Sequence, residues 1–337
     1  MATDKSPGNL EVGGAGPVEP VEPVEPVEPV EPVEPVVLYS VDGAVATITL
    51  NRPKAANAQD TALINALDEA FDVAESDDDV RVVVLAGNGR HFSSGHDLKE
   101  LVGPESGALR ELRSTPEGKF HHEQAMYVEK CRRIHDFRKP TIASVQGKCV
   151  AGGLMLACMC DIIVAADDAV FSNPVLRMSG AAVELLVEPW EMGIRKAKEF
   201  LLAAEEIDAE EALRLGLVNR VVARDELSSR TAELAARIAL VPPITAEIVK
   251  ASINNVAELM GQSASWRYHF MAHHFAHNTA TSVGSLKERE QMGSMREVFA
   301  ARDRGDTGGA GGVGGDGSGG AGDVGGDGSG GASGGGA

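Results

Sequence analysis

The residues able to do chemistry gather at two glycine turns. One is Ala151-Gly152-Gly153, inside the stretch Gly147 to Val175, and the other is Ser94-Gly95-His96-Asp97. Glycine lets a ligand come close to the backbone, and the first N–H groups of a helix have no acceptor within it. Two such amides converging on one point would hold a partly negative oxygen, as an oxyanion hole does. Either turn alone reads as an ordinary glycine turn, and only the pair, taken in order with its neighbours, carries more. What the Gly147–Val175 stretch lacks is an acidic side chain in the first turn of its helix. The places where one would be sought hold Met155 and Val175.

Other titratable groups are scattered. Glu184 follows Val175 by nine residues and sits in the apolar run Ala181 to Leu186. Burial there would raise its pKa toward that of a base, although a solvated or ion-paired helix glutamate is the plainer alternative. Glu188 and Glu191 flank Pro189-Trp190 and read as surface or packing residues. The amide of His96 is useful whatever its imidazole does, so that side chain reads as a bystander. His121 and His122 read as surface residues. His269, His273, His274 and His277 suggest a metal by their number, and 269, 273 and 277 share one helical face. Cys131, Cys149, Cys158 and Cys160 lack zinc-site spacing and read as buried thiols of a reducing compartment.

These groups must be carried by alternating strands and helices. Residues 36–40 and 44–50 flank Asp42-Gly43 as a hairpin. A helical period from Asp60 to Ala74 follows, then the apolar strand Val80–Ala86, buried on both faces. Residues 103–118 read as a polar surface loop and Lys119–Phe137 as a helix. Thr141–Val145 is a strand, Gly147–Cys149 its turn, and 151–160 a helix. Strands at Asp161–Ala165, Ala169–Phe171 and Leu217–Val222 alternate with helices at Glu191–Leu202 and Ala209–Leu215. Asp225–Leu240 is helical, and after Pro242-Pro243 come helices over 245–260 and 264–300. The class is therefore α/β.

Several motifs follow one another in a specific order: Ile48 to Pro53, Ala56-Asn57-Ala58, Phe92 to Glu100, Lys139 to Ala143, Gly147, Ala151-Gly152-Gly153, Cys160-Asp161-Ile162, Ala209 to Ala212 and Gly216 to Asn219. Together they resemble the crotonase (enoyl-CoA hydratase/isomerase) superfamily over about residues 36–260. The resemblance implies a spiral of ββα units with a C-terminal helical region used for assembly into a homotrimer or hexamer. It implies an acyl-CoA ligand, with coenzyme A as part of the substrate and no other cofactor or metal. The thioester oxygen would be held by the backbone N–H groups of His96 and Gly152, with the helix dipole adding to the second. His96, Asp97, Leu98 and Lys99 would line the CoA and acyl path, and Ala56 to Ala58 would sit near the adenine. The histidines of the assembly helix then read as structural or interfacial.

The chain departs from this family where the chemistry is done. Hydratases of the family carry two glutamates, at the positions of Met155 and of Val175 after Phe171-Ser172-Asn173-Pro174. A thioether and an isopropyl group neither activate water nor deliver a proton, and losing one acid/base group costs about 10²–10⁴ in rate. Glu184 is the replacement the sequence offers. Leu154, Met155, Val175, Leu176 and Met178 would make an apolar acyl pocket that favours a hydrophobic chain. Three readings follow: an acyl-CoA enzyme, such as a hydratase or isomerase with altered groups or a decarboxylase or C–C hydrolase; a non-catalytic acyl-CoA-binding protein; and a scaffold acting through its tails.

Composition bounds the rest. Residues 18–35 are six copies of Val-Glu-Pro, a stiff acidic spacer that reads with the rest of residues 1–35 as disordered. Residues 304–337 hold 19 of the 39 glycines and read as a disordered tail. Between them lie a core over 36–242 and a helical assembly region over 243–303. Of the net charge of −19, residues 1–36 contribute −7 and residues 304–337 contribute −3, which leaves −9 for the remainder. That balance argues against nucleic-acid and anionic-membrane partners. No apolar run reaches membrane-spanning length, and no leader pattern opens the chain, so a cytoplasmic protein is expected.

Overall fold

The computed structural model describes residues 34–102, 107–178, 180–280 and 282–283, within a unit that begins at Pro35. The glycine-rich tail and nearly all of the Val-Glu-Pro repeat lie outside the described residues. Among the described residues nine strands follow in chain order: β1 Val37–Asp42, β2 Val45–Leu50, β3 Val82–Gly87, β4 Thr141–Val145, β5 Lys148–Val150, β6 Ile162–Ala166, β7 Val170–Ser172, β8 Glu206–Asp208 and β9 Arg220–Val222. One sheet has the order β1-β2-β3-β4-β6-β9 and the other β5-β7-β8. The β1–β2 hairpin is antiparallel, and β2, β3, β4, β6 and β9 run parallel.

The chain winds between the sheets. It leaves β4 through Gly147, at φ +54, and enters β5; it passes likewise from β6 to β7. After β3 the same passage is made without a full strand, where Ser93 bridges to Cys149 of β5. Each passage ends at a helix or turn, so ββα units stack as a spiral. All five residues of β4 are buried, as befits a parallel strand covered on both faces. The Thr61–Ser76 helix is capped by Asp60, whose side chain accepts from the Leu63 amide at 2.8 Å, and it buries Leu63, Ile64, Leu67, Ala70, Phe71 and Ala74 against the sheet.

Four local expectations change. Residues 103–118 do not form one loop, because Gly107–Leu112 is a helix and another runs from Pro116 to Glu123. Gly147–Cys149 is not simply a turn, since Lys148 and Cys149 belong to β5. The second sheet as a whole was not foreseen, because strands of three residues carry too little alternation to stand out. The helix expected over 264–300 is interrupted: Gln262–His277 closes at Asn278, helical residues resume at 280, and residues 284–300 lie outside the described residues. Gln262–His277 follows the Pro243–Leu259 helix. Trp266 and Phe270 are buried on the core, and Lys250 pairs with Asp161 at 2.9 Å.

Candidate active site

The two glycine turns meet backbone to backbone. A Cβ on Gly95, which sits at φ +85, would lie 2.8 Å from the Val150 carbonyl and 3.0 Å from the Gly152 nitrogen. Gln59 joins the two turns. Its Nε2 donates to the Gly152 carbonyl at 3.1 Å, its own N–H donates to the Gly95 carbonyl at 2.8 Å, and its carbonyl accepts from the Asp97 amide at 3.0 Å. Ala151 is held at φ 50 and ψ −111, a costly conformation for a residue with a side chain. Its N–H is fixed to the Ser172 carbonyl at 2.8 Å. Among the described residues, the His96 and Gly152 amides have no protein acceptor.

The segments expected to line the ligand path lie side by side. The Ser94 amide donates to the Ala56 carbonyl at 2.9 Å, and Ala56 and Asn57 both take positive φ. Asn57 is fully buried, and its amide donates to the carbonyls of Asn88, His91 and Phe92, fastening the loop before His96. Ala58 is buried, while Ala56 and Leu98 are half-buried and Lys99 is exposed. The Asp97 carboxylate is engaged within the protein, accepting from Arg52 at 2.9 Å and from the Lys99 amide at 3.0 Å.

Glu184 and His96 come together. His96 Nε2 lies 2.9 Å from Glu184 Oε2, and Glu184 is almost fully buried. A carboxylate only accepts, so the imidazole proton belongs on Nε2 and the lone pair on Nδ1. Nδ1 is buried without a partner, and it would lie 2.9 Å from a Cβ placed on Gly152. The ring stacks on Tyr127 with centroids 3.9 Å apart. The pKa expected for Glu184 is corrected: burial pushes it up, but His96, by its charge when the ring is protonated and by its hydrogen bond, outweighs burial and holds it well below the ordinary carboxylate value. Glu184 is thus a fixed anion and not itself a base poised near neutrality.

A second wall is apolar. Met155 is fully buried in the first turns of the Gly152–Cys158 helix, and Val175 is 9% exposed. Leu154 is buried with them, and the side chain of Met178 lies outside the described residues. His122, expected at the surface, is buried, and burial followed by the charge of Arg113 lowers its pKa. Glu188 is also buried and accepts from Asn173 at 2.7 Å; burial raises its pKa. The sequence reading missed Gln59, Tyr127 and Glu123. Only the burial of a polar residue within an apolar helical face could have marked the last two. A groove of about 990 Å³ beneath the Leu227–Ile238 helix, lined by Thr47, Ser144 and Arg224 among others, contains none of these residues.

A ββα spiral that brings two glycine turns together at the start of a buried helix defines a crotonase-class protein. The chain belongs to the enoyl-CoA hydratase/isomerase family, whose model matches residues 40–293. It is 41% identical over 248 residues to EchA13 of Mycobacterium tuberculosis, an enoyl-CoA hydratase by provisional name, with 70% of this chain and 78% of the relative covered. The crystal structure of a probable enoyl-CoA hydratase from Mycobacterium smegmatis superposes with a TM-score of 0.68 at 43% identity, covering 74% of this chain and 97% of that one. A 4-chlorobenzoyl coenzyme A dehalogenase from an Arthrobacter species is 32% identical over 255 residues, with 75% and 87% covered. Relatives named for different reactions on CoA thioesters therefore lie within reach of the same chain.

Proposed function

We propose that the protein is an acyl-CoA enzyme that moves a proton at the carbon beside the thioester carbonyl, using one base, His96, held by Glu184. The observation that carries this reading is the 2.9 Å contact from His96 Nε2 to Glu184, which leaves Nδ1 free against Gly152. The amides of His96 and Gly152 hold the thioester oxygen, each donor being worth about 10²–10³ in rate. Nδ1 takes the proton from Cα, and the C–H electron pair passes through the new Cα–carbonyl double bond onto the oxygen. Returning the proton to Cγ of an enoyl chain shifts the double bond and restores the thioester. Ala56, Ala58, Asp97, Leu98 and Lys99 accompany the coenzyme A portion. Hydration calls for two groups around a bound water, and Met155 and Val175 offer it none. Isomerisation or another enolate-forming reaction is therefore the better fit.

The exposed face of Pro243–Leu259, with Val249, Ile253 and Val256 at helical spacing and Met260 just beyond its end, fits the homotrimer or hexamer expected from the sequence. Incubation with a β,γ-enoyl-CoA and mass spectrometry of the product tests the function. Double-bond migration that is lost in Glu184→Gln is expected. A 3-hydroxyacyl-CoA product unaffected by Glu184→Gln would overturn the reading, and tight binding with no exchange at Cα would make the protein a binder only.

A further inference from the structure

The buried polar groups left over by this chemistry lie on one helix. His269 of Gln262–His277 has its Nε2 2.9 Å from the Val183 carbonyl, so the ring N–H donates to the backbone one residue before Glu184. Ala182, just ahead of it, is held at φ +59. That conformation is costly for a residue with a side chain and persists where neighbours enforce it. His269 grips this strained turn from outside.

His273 comes one helical turn later. Its ring nitrogen, one oxygen of Glu184 and one of Glu123 lie within 4.8 Å of one another, and all three residues are buried. His273 Nε2 is 3.3 Å from Glu123 Oε2 and 3.1 Å from His277 Nε2. Two carboxylates this close would drive one toward protonation unless positive charge stood between or beside them. Arg113 supplies some, 2.8 Å from Glu123, and Lys119 stands 3.7 Å from the same oxygen. A proton on His273 supplies the rest: burial opposes it, but the Glu123 hydrogen bond and the charges of both glutamates outweigh burial and raise its pKa. His277 is pushed down to about 3 by burial and by the charge of His273, so its Nε2 is an acceptor. His274, 3.1 Å from Glu123, and His122 complete the polar groups around the cluster. A divalent cation here would displace the His273 proton and add net positive charge beside Arg113 and Lys119, so the arrangement suits a held proton better than a metal.

We propose that His269 and His273 are positioning residues for the His96 base: the first fixes the backbone of Glu184, and the second adds to His96 in keeping its carboxylate ionised and turned toward that ring. The C-terminal helix is on this account part of the active site. The inference rests on His96 acting as the base.

Carboxyl ¹³C NMR of the full-length protein, with the Glu184 signal assigned by its loss in Glu184→Gln, reads the carboxylate directly. Deuterium exchange at Cα of an acyl-CoA, followed against pH, reads the base. In His273→Leu the Glu184 titration is expected to move up by about one unit or more, with exchange down about tenfold and its acid limb displaced. His273→Gln is neutral at every pH, and it serves the same comparison if the leucine variant does not fold. His269→Ala is expected to lose about as much exchange, while His269→Gln, whose amide can donate to Val183, restores most of it. Tyr268→Ala, on the exposed face of the same helix, is expected to change nothing. An unmoved Glu184 titration in both His273 variants, or His269→Gln as impaired as His269→Ala, would overturn the proposal. Those outcomes with an inactive His96→Gln would sink this inference alone, whereas wild-type exchange in His96→Gln would sink the reading beneath it.

Discussion

Two buried walls near the Gly152 turn differ in kind. One carries Met155 and Val175, buried and without a polar atom that could move a proton. The other carries His96, Glu184 and, behind them, Glu123 and His273, all buried or nearly so and joined by contacts of 2.9–3.3 Å or held within 4.8 Å. The family resemblance implies that the acid/base positions are on the first wall. On the proposed reading, this chain has emptied that wall and filled the other. On that reading a catalytic group changes address while the backbone at the Gly152 turn stays in place.

The comparison breaks first at Met155 and Val175. Converting both to glutamate puts two carboxylates into an apolar wall, and the expected result is a loss of several kcal/mol of stability in urea unfolding. Little loss together with strong hydration of an enoyl-CoA would mean that this wall still works. Gly152→Ala attacks the other wall, because the new Cβ would come 2.8 Å from His96 Cε1 and Gln59 Oε1. Exchange at Cα is expected to fall at least about tenfold as the imidazole is pushed from Glu184, and an unchanged rate would show that the ring need not sit where it does.

A smaller effect is expected in the pH dependence of stability. His273 has a raised folded pKa, so its contribution is fully present below its unfolded value of about 6.5 and is lost as pH rises through the folded value. Glu184 and Glu123 are depressed, so theirs is present above about 4.5 and is lost as pH falls. The stability gap between wild type and His273→Gln should therefore be wider at about pH 6 than at about pH 9, by on the order of 1–2 kcal/mol. A gap independent of pH would remove the proton from His273. Smallest for the chemistry is Ile253→Glu on the exposed helical face, which should shift light-scattering mass toward smaller species while leaving the fold intact.

The long parallel strands and the Asp60-capped helix were legible in the sequence because their period extends over many residues. So were the two glycine turns, since both their composition and their order are distinctive. The three-residue strands were not, for lack of length. The pairing of His96 with Glu184 joins residues 88 positions apart, and neither local spacing nor apolar context reports such a contact. That is why Glu184 reads in sequence as a base raised by burial and in the structure as an anion lowered by an imidazole. The helices after Pro243 read as an assembly region through the family resemblance, yet the same helical hairpin turns His269 and His273 inward.

The central claim is that the base has moved to His96. Deuterium wash-in at Cα of an acyl-CoA, compared between wild type and His96→Gln, tests it most directly, because the glutamine leaves both backbone amides in place. The account predicts a fall of about 10²–10⁴ with ligand affinity largely kept. Exchange at the wild-type rate in His96→Gln would contradict it.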